Sequence, residues 1–123
     1  MLEILAQLSP RLLALHKLLL DRQRAEYEAV HGRIGSTGEY LNLVLNHARF
    51  EWLRQLSGLI VEIDEILAPR SKYGPDEPAG AISQTRSLLT PSETGSEFQR
   101  NYWLAIQESP DVVLLHREIV SLL

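Results

Sequence analysis

Arg22, Glu26, Ser57 and Asp64 are the side chains of this sequence whose type and spacing offer chemistry, because each falls inside an apolar helical face. Between Ala48 and Leu67, the residues Leu53, Leu56, Ile60, Ile63 and Leu67 recur at alternating steps of three and four, the period of a buried seam. Trp52, Leu59 and Ile66 widen that seam on one side, and Phe50 and Val61 widen it on the other. Ser57 and Asp64, seven residues apart, lie within the arc, whereas Glu51, Glu62 and Glu65 face water. On the preceding helix, Arg22 and Glu26 lie near the centre of the apolar face, four apart and therefore neighbours. Gln23 and His16 sit closer to its edge. A carboxylate carried into an apolar interior demands a partner, since unpaired burial is expensive. One outcome is a buried ionic network in which Arg22 meets Asp64 and fixes helix register. The other is a polar pocket between helices, where a carboxylate with a shifted pKa binds a ligand or acts as acid or base. The first is the preferred reading.

The histidines offer a second chemistry. Glu28 and His31 form an E-x-x-H step, and side chains three apart on a helix converge on one point. The spacing resembles that of ferritin-like di-iron bundles, which need the motif twice together with two more inward glutamates. Here it occurs once, on the polar side of its helix, so no ligand is carried over and no metal or cofactor is expected. His47 reads as a helix-start residue. His116, inside an apolar face, reads as a hydrogen-bonded core histidine. No H-x-x-x-H or H-E-x-x-H pattern is present.

Other classes are excluded more directly. There is no cysteine, which removes disulfides, thiolate catalysis and thiolate metal sites. No G-x-S-x-G elbow and no phosphate-binding glycine pattern occurs. A net charge of −4, with scattered lysines and arginines, argues against nucleic acid. No apolar run is long enough to span a bilayer, and Glu3, Arg11 and Lys17 break any resemblance to a signal peptide. The expected setting is the cytoplasm.

These side chains have to be positioned by helices. Ser9-Pro10 reads as a helix start, with the helix running to His31 and Gly32 ending it. Its expected face is Leu12, Leu15, Leu18, Leu19, Ala29 and Val30. Met1 to Leu8 is either a short helix or the lead into this one. A short helix from Glu39 to about Asn46 follows a Ser36–Glu39 capping box. The central helix, capped by Asn46 or His47, stops at Ala68-Pro69. Residues 69–80 form a long Pro/Gly loop, followed by a weak helix from Ala81 to Leu89. Thr90-Pro91-Ser92-Glu93 reads as a further start, with Gly95 able to delay it to Ser96. Ser109-Pro110 opens the last helix, carrying Val112, Leu115, Ile119, Leu122 and Leu123. No stretch alternates long enough for a strand.

The 123 residues are therefore expected to form one domain, an all-α compact bundle of five to six mostly antiparallel helices with short connections. A non-enzymatic protein-interaction module is the expected function, chosen by elimination. The leucine-rich first helix, apolar even at Leu13 and Leu20, suggests self-association as a homodimer. Trp52, Tyr73 and Trp103 are the expected interface residues, and an unidentified protein partner is a further expectation. The alternatives are a small-molecule binder or enzyme using Asp64, Glu26 and Arg22, and a histidine–carboxylate metal bundle.

Overall fold

Leu5, Leu8, Leu12, Leu15 and Leu19 fall at alternating steps of three and four, and all five are fully buried. They form one stripe of a single helix, α1, running Leu2–His31 in the computed structural model, which describes all 123 residues. This corrects the expected start at Ser9-Pro10, because the helix passes through Pro10. The physical reason lies in the stripe. An interior proline costs about 3 kcal/mol by removing a backbone hydrogen bond. Burying Leu5 and Leu8 upstream of it returns roughly 3–6 kcal/mol. Pro10 itself is exposed, and the Arg11 guanidinium donates to the Gln7 carbonyl beside the break at 2.8 Å. Gly32 ends the helix at φ 86°, its N–H donating to the Glu28 carbonyl. That left-handed backbone favours glycine.

The rest of the chain folds around α1. Helix α2 (Thr37–Asn46) starts at Ser36, whose hydroxyl accepts from the Glu39 N–H. A 3₁₀ turn (Ala48–Leu53) is capped by His47 Nδ1, which accepts from the Arg49 N–H. It leads into α3 (Arg54–Leu67), so the expected central helix is present with its first two turns tightened to 3₁₀. Helices α4 (Glu77–Leu88), α5 (Glu97–Glu108) and α6 (Pro110–Leu122) complete a fold that is 79% helical and has no strand. Helix α1 packs along α3 and α6 and crosses the 3₁₀ turn; α4 covers α3, and α5 joins α6 and the 3₁₀ turn. A single cluster of 20 buried apolar residues runs through all of these elements.

Two further boundaries differ from expectation. The long loop ends at Asp76 rather than Gly80, because Glu77-Pro78 is the first turn of α4. Proline is pre-shaped for that position, and Pro78 is buried there. Thr90-Pro91 does not open α5; the Thr90 hydroxyl instead donates to the Arg86 carbonyl at the end of α4. The start is the later of the two expected positions, Ser96, where a reciprocal capping box with Gln99 satisfies two backbone donors directly before buried Phe98. Ala29 and Val30, expected in the apolar face of α1, are exposed, Val30 at 62%. The buried stripe ends at Gln23, where α3 has given way to the 3₁₀ turn.

Candidate functional site

Three polar pairs bridge α1 to the segment it packs against. The Ser9 hydroxyl donates to Asp64 Oδ1 at 2.6 Å, His16 Nε2 meets Ser57 Oγ at 2.8 Å, and Trp52 Nε1 donates to Gln23 Oε1 at 2.9 Å. Ser9, His16 and Gln23 are seven apart on α1, and Ser57 and Asp64 are seven apart on α3. Equal steps in opposite directions are the mark of antiparallel helices in fixed register. The third rung falls on Trp52 rather than residue 50 because the 3₁₀ turn advances differently from an α-helix. The ladder runs from exposed at Ser9–Asp64, through half-buried, to buried at Gln23–Trp52.

This arrangement corrects the expected ionic network. Arg22 does not meet Asp64. Its guanidinium reaches Glu108 at the end of α5 at 2.5 Å, and Glu26 at 3.6 Å. Glu26 and Asp64 are exposed, and Ser57 is half-buried in contact with His16. The four residues therefore stand in three separate places instead of lining one interhelical pocket. A helical wheel puts Asp64 inside the arc, but Ile63 and Ile66 occupy the buried positions beside it, and Asp64 is left on the rim. Glu26 lies beyond Gln23, where the stripe has ended. Ser57 also lies 3.3 Å from the Leu53 carbonyl, and no carboxylate orients His16 from its other nitrogen, so the pair lacks the third group that nucleophile activation uses.

The aromatic residues divide similarly. Trp52, expected at an interface, is 8% exposed, with its ring against Phe98 at 5.4 Å and its indole N–H on Gln23. Trp103 is half-buried, while Tyr73 remains 38% exposed in the 68–76 loop. Tyr102 and His116 each lie seven residues from Ser109, so folding α6 back on α5 there brings them together, hydroxyl to Nδ1 at 2.6 Å. Burial pushes the Tyr102 hydroxyl well above its ordinary pKa, so it stays protonated in this pair. At the far end of α1, Tyr27 packs on His31 at 4.6 Å and edge-on to His47 at 5.3 Å. Glu28, the other half of the E-x-x-H step, accepts from the Ile34 N–H and pairs with Arg24. No three histidine or carboxylate side chains converge as a metal-holding group.

Burial lowers the pKa of both His16 and His116 below the ordinary histidine value. The unfolded chain therefore takes up these protons first, as pH falls through about 6.5. Between that value and the folded pKa values the unfolded state holds more protons, so folding stability drops. Thermal unfolding followed by circular dichroism is expected to show a lower Tm at pH 5.5 than at 7.5. The drop should shrink in a His16→Gln, His116→Gln double variant, and an unchanged drop would place its origin elsewhere.

Two surfaces remain. Helix α2 carries Tyr40, Leu41, Leu43, Val44 and Leu45 among its ten residues, yet none is buried. Leu41 and Leu45, one turn apart, are 56% and 59% exposed. The inner side rests on the 3₁₀ turn, with Tyr40 under the Arg24 guanidinium at 4.4 Å and its hydroxyl buried without a hydrogen-bond partner. The second surface is an open groove of about 550 Å³ between α3, α4 and α5, lined among others by Gln55, Gly58, Glu62 and Gln84. It adjoins a chamber of about 330 Å³ lined by Glu51, Arg54 and Glu97. Gly58 sits mid-helix, where glycine costs roughly 0.5–1 kcal/mol relative to alanine. A Cβ there would meet nothing within 4 Å, so packing within the chain does not require the glycine.

The fold and these surfaces define an all-α bundle held in register by polar rungs, with a half-covered apolar helix on one flank and an open polar groove on another. None of the protein families, curated proteins or solved structures with which the chain was compared matches it.

Proposed function

We propose that the protein is a non-enzymatic protein-interaction module of the cytoplasm that self-associates through α2. The observation that carries this reading is that α2 is half apolar and buries no residue. Tertiary packing normally stabilises so short a helix, and here only its inner side receives any. A second copy of α2 laid against Leu41 and Leu45 supplies the missing cover, and twofold pairing of one patch with itself closes the assembly. The size of the patch sets the strength. A stable interface buries about 800 Å² per partner, and two leucines with their surroundings fall short of that. The dimer is therefore weak and in exchange with monomer.

Sedimentation velocity from about 10 μM to 1 mM, bracketing the micromolar-to-millimolar affinities of small interfaces, tests this reading. The average mass is expected to rise from 14.0 kDa towards twice that value with concentration. A Leu41→Ser, Leu45→Ser variant should stay monomeric with an unchanged circular dichroism spectrum, since both side chains are already in water. A wild-type mass flat at 14.0 kDa throughout would end the proposal.

A further inference from the structure

We infer that α2 is an acid-released arm: a proton on His47, beside a second on His31, frees it from its seat on the 3₁₀ turn. Release in turn undoes the self-association proposed above, and only that consequence rests on the earlier reading. His47 both closes α2 and caps the 3₁₀ turn. The Arg49 N–H donates to its Nδ1 at 3.1 Å, so that nitrogen has to carry a lone pair. A charged imidazole holds hydrogens on both nitrogens and accepts nothing. Proton uptake therefore turns the capping acceptor into a second donor aimed at the first. Imidazoles gain this charge between about pH 8 and pH 5.

The groups around His47 offer that charge no compensation. The His31 ring lies 6.2 Å away on α1, and both rings stand against the neutral Tyr27. Phe50 closes the side of the turn at 6.4 Å. No carboxylate forms an ion pair with either histidine. Glu28 on α1 is engaged by Arg24 and the Ile34 N–H, and Glu51 on the turn by Arg54. Arg49 adds positive charge beside the cap. Two imidazolium rings at this spacing repel one another. Little holds α2 against that push. It buries no residue and contributes none to the core cluster. Apart from the cap, its fixings are the Arg54 guanidinium on the Leu45 carbonyl and Tyr40 between Phe50 and Arg24. Seating also leaves the Tyr40 hydroxyl buried without a partner, a penalty that release removes. Ile34 and Phe50, both buried, pin the chain on either side, so α2 lifts as one segment without opening the core.

Amide hydrogen exchange read by mass spectrometry tests the release, at about 10 μM so that the monomer is observed. Rates are corrected for the intrinsic effect of pH on exchange. From pH 7.5 to 5.5, protection across α2 is expected to fall by about tenfold or more relative to the Leu5–Leu19 stretch of α1, as follows from losing a cap. His47→Asn keeps a capping acceptor that takes up no proton, so α2 should hold its protection there. His31→Gln should show a smaller fall than the wild type. Sedimentation at about 1 mM should then find the wild-type mass dropping towards 14.0 kDa at pH 5.5, while His47→Asn keeps its value at pH 7.5. Unchanged protection of α2 in the wild type, or an equal fall in His47→Asn, would overturn the inference. A dimer that persists at pH 5.5 although α2 has lost its protection would overturn the consequence for self-association. A mass of 14.0 kDa at both pH values would end the dimer alone, because exchange reads the release in the monomer.

Discussion

Leu15→Ala is expected to lower the unfolding free energy by about 2–5 kcal/mol, the range for emptying a leucine site in a packed core. Leu15 is fully buried at the middle of the α1 stripe, in the helix that packs on both α3 and α6, so the void has little freedom to collapse. Two residues away, Leu13 is 59% exposed, and Leu13→Ala should change stability by no more than about 0.5 kcal/mol. Urea unfolding of the two variants, compared at constant slope, checks the prediction. Equal losses would mean that α1 presents a different face to its neighbours. Against a total of about 5–15 kcal/mol for an ordinary domain, the Leu15 loss is a sizeable share of the whole.

The second large effect belongs to the buried rung of the ladder. Gln23→Met keeps the length of the side chain but removes the acceptor of the Trp52 indole N–H. A buried donor left without a partner costs about 1–3 kcal/mol, and this pair is the only rung with both ends buried. Ser9→Ala, at the exposed rung, should cost less than about 1 kcal/mol because water takes the place of the lost hydroxyl. Adding Trp52→Phe to Gln23→Met should cost less than the sum of the single variants, since no orphaned donor then remains. Additive losses in that cycle would show that the hydrogen bond contributes nothing beyond packing.

Much of the architecture is legible in the residues themselves. The leucines of α1 and the apolar arc of α3 declare their periods, and Gly32, Ser36, Ser96 and Ser109 mark helix boundaries with caps that the structure contains. Ser9-Pro10 misleads because capping chemistry is local, whereas the stripe that overrides it spans four turns. That same misreading hides the ladder. Ser57 and Asp64 stand out at a seven-residue step, but their counterparts Ser9 and His16 do not join into a set once Ser9 is read as a cap. Whether Asp64 points into a core or onto its rim depends on where α1 lies, which no wheel drawn on α3 contains. The uncovered state of α2 and the groove are invisible for a related reason. A helix records which of its sides are apolar but not which neighbours arrive, and the groove is assembled from three separate helices.

The position of α6 has a consequence for the order in which this chain acquires its shape. Helix α6 is a principal neighbour of α1, yet about 80 residues separate the end of one from the start of the other. At a synthesis rate of about 5–20 residues per second, α1 waits roughly 4–16 s for that cover. During the wait the leucine stripe must either find α3 alone or stand open beside the ribosome. The nascent chain is thus most prone to clump before its last helix emerges, and a prematurely ended product would carry that hazard permanently.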